Sequence, residues 1–181
     1  MTTYNEGSVK ISVDRVFHPG VEALEVDQQL RLAGGLGERY PDGVHVNARI
    51  THIAHGVHLH GVLSGVERET CVRCLEPFAR PTTIAIEETY SEDVNADEDF
   101  WAEVAPLVSR SIDLSDLASQ LLEVDEPMAA ICSASCRGIC AACGVNRNVV
   151  SCECEAHTVD ERLAGLASFR DEVQSDDKND R

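Results

Sequence analysis

Eight cysteines carry most of the chemistry available to this 181-residue chain. Two stand close together in Cys71-Val72-Arg73-Cys74, and six follow later as Cys132, Cys136, Cys140, Cys143, Cys152 and Cys154. A C-x-x-C turn lets two thiolates converge on one tetrahedral metal while backbone N–H groups point at the sulfurs. In Cys140-Ala141-Ala142-Cys143-Gly144 the glycine suits the positive φ with which such a turn folds back. Cys152-Glu153-Cys154 is a tighter pair that can complete a site begun by Cys140 and Cys143. Eight soft ligands match two closed four-cysteine zinc sites, so two zinc ions are expected.

The expected division gives Cys71, Cys74, Cys132 and Cys136 to one ion and Cys140, Cys143, Cys152 and Cys154 to the other. It uses every thiol and staples a small cysteine-rich lobe to the rest of the chain. The rival is a local site of Cys132, Cys136, Cys140 and Cys143, which leaves two distant pairs. With all eight thiols closed around metal, no open coordination position remains for catalysis.

The thiols have three other possible uses. A thioredoxin-like redox pair expects a strand-to-helix setting, whereas Cys71 and Cys74 lie between strand patterns. An iron–sulfur cluster could take the same ligands. Disulfides need an oxidising compartment, and Met1–Gly7 has neither the basic nor the apolar region of a secretory signal, so an intracellular setting is expected. His52, His55, His58 and His60 read as the wet side of strands, and His157 is the one histidine positioned to substitute for a thiol. No phosphate-binding glycine loop, nucleophile elbow or carboxylate dyad stands out.

The elements that must position these residues follow from periodicity. Val9, Ile11 and Val13, then Leu24 and Val26, then Leu30 and Leu32 alternate with polar residues, and Val44, Val46, Ala48 and Ile50 do so most cleanly. His55-Gly56 turns the chain into Val57 and Leu59, and Ile84 and Ile86 mark another strand after Cys71–Pro81. Gly34-Gly35, Gly37 and Pro41-Asp42-Gly43 read as turns. Asp113 caps a helix whose Leu114, Leu117, Ala118, Leu121 and Leu122 form one apolar stripe, ended by Pro127. A second helix is expected from Asp160 through Phe169. The fold class is therefore α+β: an antiparallel β-meander or partly open barrel, one or two helices, and a cysteine-rich zinc-binding C-terminal lobe. The expected domains are residues 1–127, a zinc lobe with terminal helix over 128–170, and a disordered tail over 171–181. No internal repeat is evident.

Charge narrows the partners. The chain holds 32 acidic and 15 basic residues, net −17, which as a whole repels nucleic-acid phosphates and suits basic proteins. From Glu87 to Glu103 lie eight acids and no base, with Phe100-Trp101 near the end. This run reads either as a solvated loop or as a docking strip for a basic partner. No apolar run reaches the length of a membrane-spanning helix.

Cys71-Val-Arg-Cys74-Leu-Glu-Pro-Phe78, Cys132-Ser-Ala-Ser-Cys136-Arg-Gly-Ile-Cys140-Ala-Ala-Cys143-Gly-Val-Asn146 and Asp160-Glu-Arg-Leu163, in this order, resemble the bacterial YceD family of large ribosomal RNA subunit accumulation proteins. Ala141-Ala142 departs from the proline-containing knuckle common in relatives, and Arg147 stands where an apolar residue is frequent. The resemblance implies a cytoplasmic, non-enzymatic ribosome-biogenesis factor for synthesis, processing or stability of large-subunit (23S) ribosomal RNA. The expected partner is a basic large-subunit ribosomal protein or a pre-ribosomal particle, with RNA contact secondary and neither membrane nor small-molecule substrate. The competing classes are a cysteine-dependent oxidoreductase and a zinc-stapled transcription accessory protein.

Overall fold

A computed structural model of the chain describes residues 8–93, 104–154 and 162. In chain order the elements are β1 (Lys10–Ser12), β2 (Ala23–Leu30), α1 (Gly34–Arg39), β3 (Val44–Ile53), β4 (Gly56–Thr70), β5 (Pro77–Ser91), β6 (Ala105–Pro106), β7 (Ser111–Asp113) and α2 (Leu114–Val124). The main sheet has the order β2-β3-β4-β5-β6, and β1 pairs with β7 in a separate two-stranded ribbon. Strands β2 to β5 form the expected antiparallel meander, left open rather than closed into a barrel.

Side-chain alternation explains the register. Val26, Ala48, Gly61 and Ile86 lie in one row across the four strands, and each row of this parity faces the core. Val44, Val46, Ala48 and Ile50 are all buried, as their period of two requires. They share one core with Val57, Leu59, Leu63 and Ile86 and with the α2 stripe of Leu114, Leu117, Ala118 and Leu122. The opposite face is polar, where Glu25 pairs with Arg49 at 2.7 Å and Asp27 with His45 at 3.0 Å.

Four expectations are corrected. Gly34, Gly35 and Gly37 lie in the short helix α1 rather than in a turn. Tertiary contacts override their poor helix propensity: Arg39 at its end reaches buried Glu67, and Tyr40 just beyond is 1% exposed. Leu30 ends β2, and Leu32 lies outside any strand. β5 begins at Pro77 and runs through Pro81, earlier than Ile84 suggests. Because β6 meets β5 only at Tyr90 and Ser91, the proline end of β5 is open, and a missing N–H costs no second ladder there. Finally, the acidic run does not begin as a loop, since Glu87 and Glu88 belong to β5. The rest of that run joins β5 to the parallel strand β6, a connection that parallel pairing requires to be long. The helix expected over Asp160–Phe169, the tail, Phe100-Trp101 and His157 lie outside the described residues.

An ion network fixes the sheet end nearest the cysteines. Glu67, on the inner face of β4, is fully buried. It accepts from Arg39 Nε at 2.7 Å and from Arg80 Nε at 2.9 Å. The two arginines continue outward, Arg39 to Glu126 at 3.1 Å and Arg80 to Asp125 at 3.2 Å. The end of α2 is thereby tied to both the sheet and α1.

Asp113 caps α2, its Oδ1 accepting from the backbone N–H groups of Ser115 and Asp116, each at 3.1 Å. Asp113→Ala should cost about 1 kcal/mol in urea unfolding, and Asp113→Asn, itself a good cap, should retain most of the stability.

Candidate metal centres

The first half-site is the tip of the longest hairpin. Cys71 to Glu76 joins β4 to β5, and two backbone bonds shape it: Leu75 N–H to Cys71 O at 2.8 Å and Cys71 N–H to Glu76 O at 2.9 Å. Leu75 takes a φ of 61°, unusual for a side chain of its kind. Cys140 to Val145 repeats the same geometry, with Gly144 N–H to Cys140 O and Cys140 N–H to Val145 O both at 2.8 Å. Gly144, at φ 75°, occupies the position that Leu75 fills in the first turn. The two turns are one backbone device used twice, although little beyond C-x-x-C is shared in sequence.

The equivalence makes a prediction. Gly144→Ala should destabilise the lobe by about 1 kcal/mol, because a left-handed backbone penalises any side chain. Leu75 is 61% exposed, so Leu75→Gly loses little packing and should leave stability within about 0.5 kcal/mol of the parent. Chemical unfolding of the two variants provides the comparison.

Backbone bonds hold the second half against this tip. Val72 N–H reaches Ala130 O and Ile139 N–H reaches Arg73 O, both at 2.9 Å. Cys71, Cys74 and Cys136 are buried together, with Phe78 and Ile131 packed on them. Cys71 Sγ lies 3.8 Å from Cys136 Sγ, and Cys74 Sγ lies 3.7 Å from Cys132 Sγ. All four sulfurs fall within 4.8 Å of one another, and so do those of Cys140, Cys143, Cys152 and Cys154. The structure thus brings together the two foursomes expected from the sequence, and not the local set of Cys132, Cys136, Cys140 and Cys143.

These distances fit a metal ion. A tetrahedron with metal–sulfur bonds of about 2.3 Å has edges of about 3.8 Å, whereas a disulfide brings sulfurs to roughly 2 Å. Charge leads to the same conclusion. Backbone hydrogen bonds from Cys132, then Cys74 and Arg73, lower the Cys71 thiol to about 6. Burial and then the neighbouring sulfurs of Cys71, Cys136 and Cys74 push Cys132 up to about 12. The second foursome behaves alike: backbone bonds from Cys143 and Ala142 lower Cys140 to about 6, while the crowding sulfur of Cys143 helps raise Cys154 to about 12. Each set welcomes some thiolates and rejects the rest, a conflict that a divalent cation among the sulfurs removes.

One supporting side chain was not read from the sequence. Asn148 Nδ2 donates to Cys136 Sγ at 3.3 Å and to Asn146 Oδ1 at 3.0 Å, while Asn148 Oδ1 accepts from Arg137 N–H at 2.8 Å. Asn148 follows Cys143 and precedes Cys152, so it links the second foursome's segment to a sulfur of the first. Asn146 also donates to Glu76 at 3.3 Å. Only a search for amides between cysteine pairs would have found them.

The histidines fall elsewhere. His58 and His60 flank Glu87 on the outer sheet face, with His58 Nε2 at 3.3 Å from its carboxylate, and His55 pairs with Asp93 at 2.9 Å. Hydrogen bonding from His60 holds Glu87 below the usual carboxylate range. His52 packs edge-on against Phe17 at 5.0 Å. Among the described residues none of them joins a cluster that could hold a metal.

Fold and site together define an α+β sheet protein with two four-cysteine candidate metal centres. The family model of the large ribosomal RNA subunit accumulation protein YceD matches residues 59–170, and the chain belongs to that family. It is similar to the chloroplastic large ribosomal RNA subunit accumulation protein YCED homolog 1 of Arabidopsis thaliana, 25% identical over 192 residues, covering 86% of this chain and 60% of that protein. The Zea mays protein of the same name is 25% identical over 164 residues, covering 72% of this chain and 56% of the relative. An uncharacterized protein of Mycobacterium tuberculosis is 26% identical over 131 residues, covering 70% and 56%. The chain therefore spans little more than half the length of these relatives. No solved structure matches it significantly. Among the described residues, no helix is long and apolar enough to cross a membrane.

Proposed function

We propose that the protein is a non-enzymatic factor supporting accumulation of large-subunit (23S) ribosomal RNA, working in the cytoplasm and structured by two zinc ions. Membership of the YceD family across residues 59–170, which include all eight cysteines, carries this reading. Cys71, Cys74, Cys132 and Cys136 would hold one zinc and Cys140, Cys143, Cys152 and Cys154 the other. Zinc there supplies no reaction; it neutralises thiolates and cross-links segments. Four sulfurs per ion leave no open position for substrate or water, which weighs against hydrolase or oxidoreductase chemistry.

The partner is a basic large-subunit ribosomal protein or the pre-ribosomal particle that carries it. An acidic chain steers such a partner electrostatically, so association should slow as salt rises. Within the acidic run, Glu92 already pairs with Arg110 at 2.7 Å, leaving less charge free than composition suggests. Asp97, Glu98, Asp99 and Glu103 belong to the same proposed strip but lie outside the described residues.

Depleting the protein should lower large-subunit particles relative to small-subunit particles and raise large-subunit rRNA precursors in gradient and rRNA profiles. Unchanged large-subunit levels would overturn the proposal.

A further inference from the structure

Apart from the thiolates of its candidate metal centres, the cysteine-rich lobe differs in side-chain charge from the rest of the molecule. Residues 71–76 and 128–154 contain three arginines against two glutamates, within a chain of 15 basic and 32 acidic residues. The three are Arg73, Arg137 and Arg147, all exposed. Elsewhere Arg39, Arg49, Arg80 and Arg110 each hold a carboxylate, while Arg15 and Arg68 stand apart from this lobe with none among the described residues. Among the described residues, Arg73, Arg137 and Arg147 have no carboxylate within 4.0 Å. Arg73 instead donates to Cys136 O at 3.4 Å. Of the lobe's two acids, Glu76 already accepts from Asn146.

Backbone contacts gather the three from separate segments. Gly138, at φ 69°, sits against Arg73 so closely that a Cβ there would lie 2.9 Å from Arg73 O. Gly138 O accepts from Arg147 N–H at 2.8 Å, and Arg137 directly precedes the glycine. The hairpin tip, the Cys136–Cys140 segment and the Cys143–Cys152 segment thus each bring the backbone of one exposed arginine beside a single buried glycine. Guanidinium forks pair two N–H groups with phosphate oxygens, and their geometry suits a polyanion better than isolated charges do.

We propose that Arg73, Arg137 and Arg147 form an RNA contact that binds backbone phosphates. The inference rests on the ribosomal reading only for which RNA is met. The chain as a whole repels RNA at long range, so these guanidinium groups offer phosphates a local contact that orients the protein on its target.

The test compares the parent chain with the triple variant Arg73→Gln, Arg137→Gln, Arg147→Gln and with a charge-matched control, Arg15→Gln, Arg49→Gln, Arg110→Gln. Fluorescence anisotropy with a labelled single-stranded oligoribonucleotide, and with a large-subunit rRNA transcript, is measured across a salt series. The lobe variant should bind about tenfold or more weakly, and its log–log salt slope should shrink by about 2, at roughly 0.7 per lost phosphate contact. The control should bind nearly as the parent does, any small loss reflecting its more negative net charge and fading as salt rises. Zinc content and thermal unfolding are followed in parallel. Equal loss in both variants, or undiminished binding in the lobe variant, overturns the proposal. So does a lobe variant that sheds zinc, because the arginines then serve the thiolate charge. Failure here with a positive depletion phenotype refutes the contact alone, and RNA binding without that phenotype refutes the ribosomal reading alone.

Discussion

Cys71→Ser is expected to release the cysteine-rich segment from the sheet, whereas Cys140→Ser should loosen that segment and leave the sheet as it was. The difference follows from ligand origin. Cys71 and Cys74 sit on the β4–β5 hairpin and meet Cys132 and Cys136 across 58 to 65 residues of chain. The second foursome is confined to Cys140–Cys154. The purified parent should contain about two zinc equivalents, and each variant about one. Structural zinc contributes on the order of 10 kcal/mol to folding small metal-bound units, so either loss is large. Limited proteolysis separates the two: cleavage around residues 125–131 should rise sharply in Cys71→Ser and little in Cys140→Ser. Iron in place of zinc, or one equivalent in the parent, would refute the assignment.

Glu67→Gln is the second large effect. The carboxylate is fully buried between Arg39 and Arg80, whose side chains are 24% exposed. Removing its charge leaves two partly buried cations facing each other, and about 3 kcal/mol of stability should go with it. Burial pushes the Glu67 carboxyl up, but hydrogen bonds from Arg80 and Arg39 outweigh it, and the group is held below the usual carboxylate range. Its native pKa is thus below its unfolded one. The stabilisation is complete above the ordinary glutamate range and falls away as pH drops through that range toward the native value. Urea unfolding of the parent should lose stability on acidification in that window, and Glu67→Gln should lose less. Parallel curves for the two proteins would remove Glu67 as the source.

What the sequence revealed depended on how local each signal was. The alternation in Val44–Ile50 and the stripe in Leu114–Leu122 report burial directly, and both were readable. The eight thiols could be sorted from spacing and count into the two foursomes whose sulfurs the structure brings within 4.8 Å of one another. Pro77 and Pro81 hid the start of β5, since whether a proline breaks a strand depends on a neighbour that the sequence does not show. α1 was hidden by its glycines, being held by Arg39 and Tyr40 rather than by propensity. The parallel β5–β6 pair and the β1–β7 ribbon join residues far apart, and two or three residues carry no periodicity. Asn148 was missed because an amide between cysteines looks like any loop residue.

The hairpin turn that carries Cys71 and Cys74 also bears on timing. As a ribosome makes the chain, β4 and β5 can pair before Cys132 exists, so a rigid two-thiol claw, set by Leu75 N–H and Cys71 N–H, stands ready for a partner. Loop closure costs only logarithmically in chain length, and a claw already formed spares the late segment most of the ordering. Maturation then proceeds from the sheet outward, with the last cysteines completing it. On the zinc reading proposed above, a cell short of the metal would accumulate molecules with a finished sheet and an undocked lobe, and the supply of competent protein would follow its metal status.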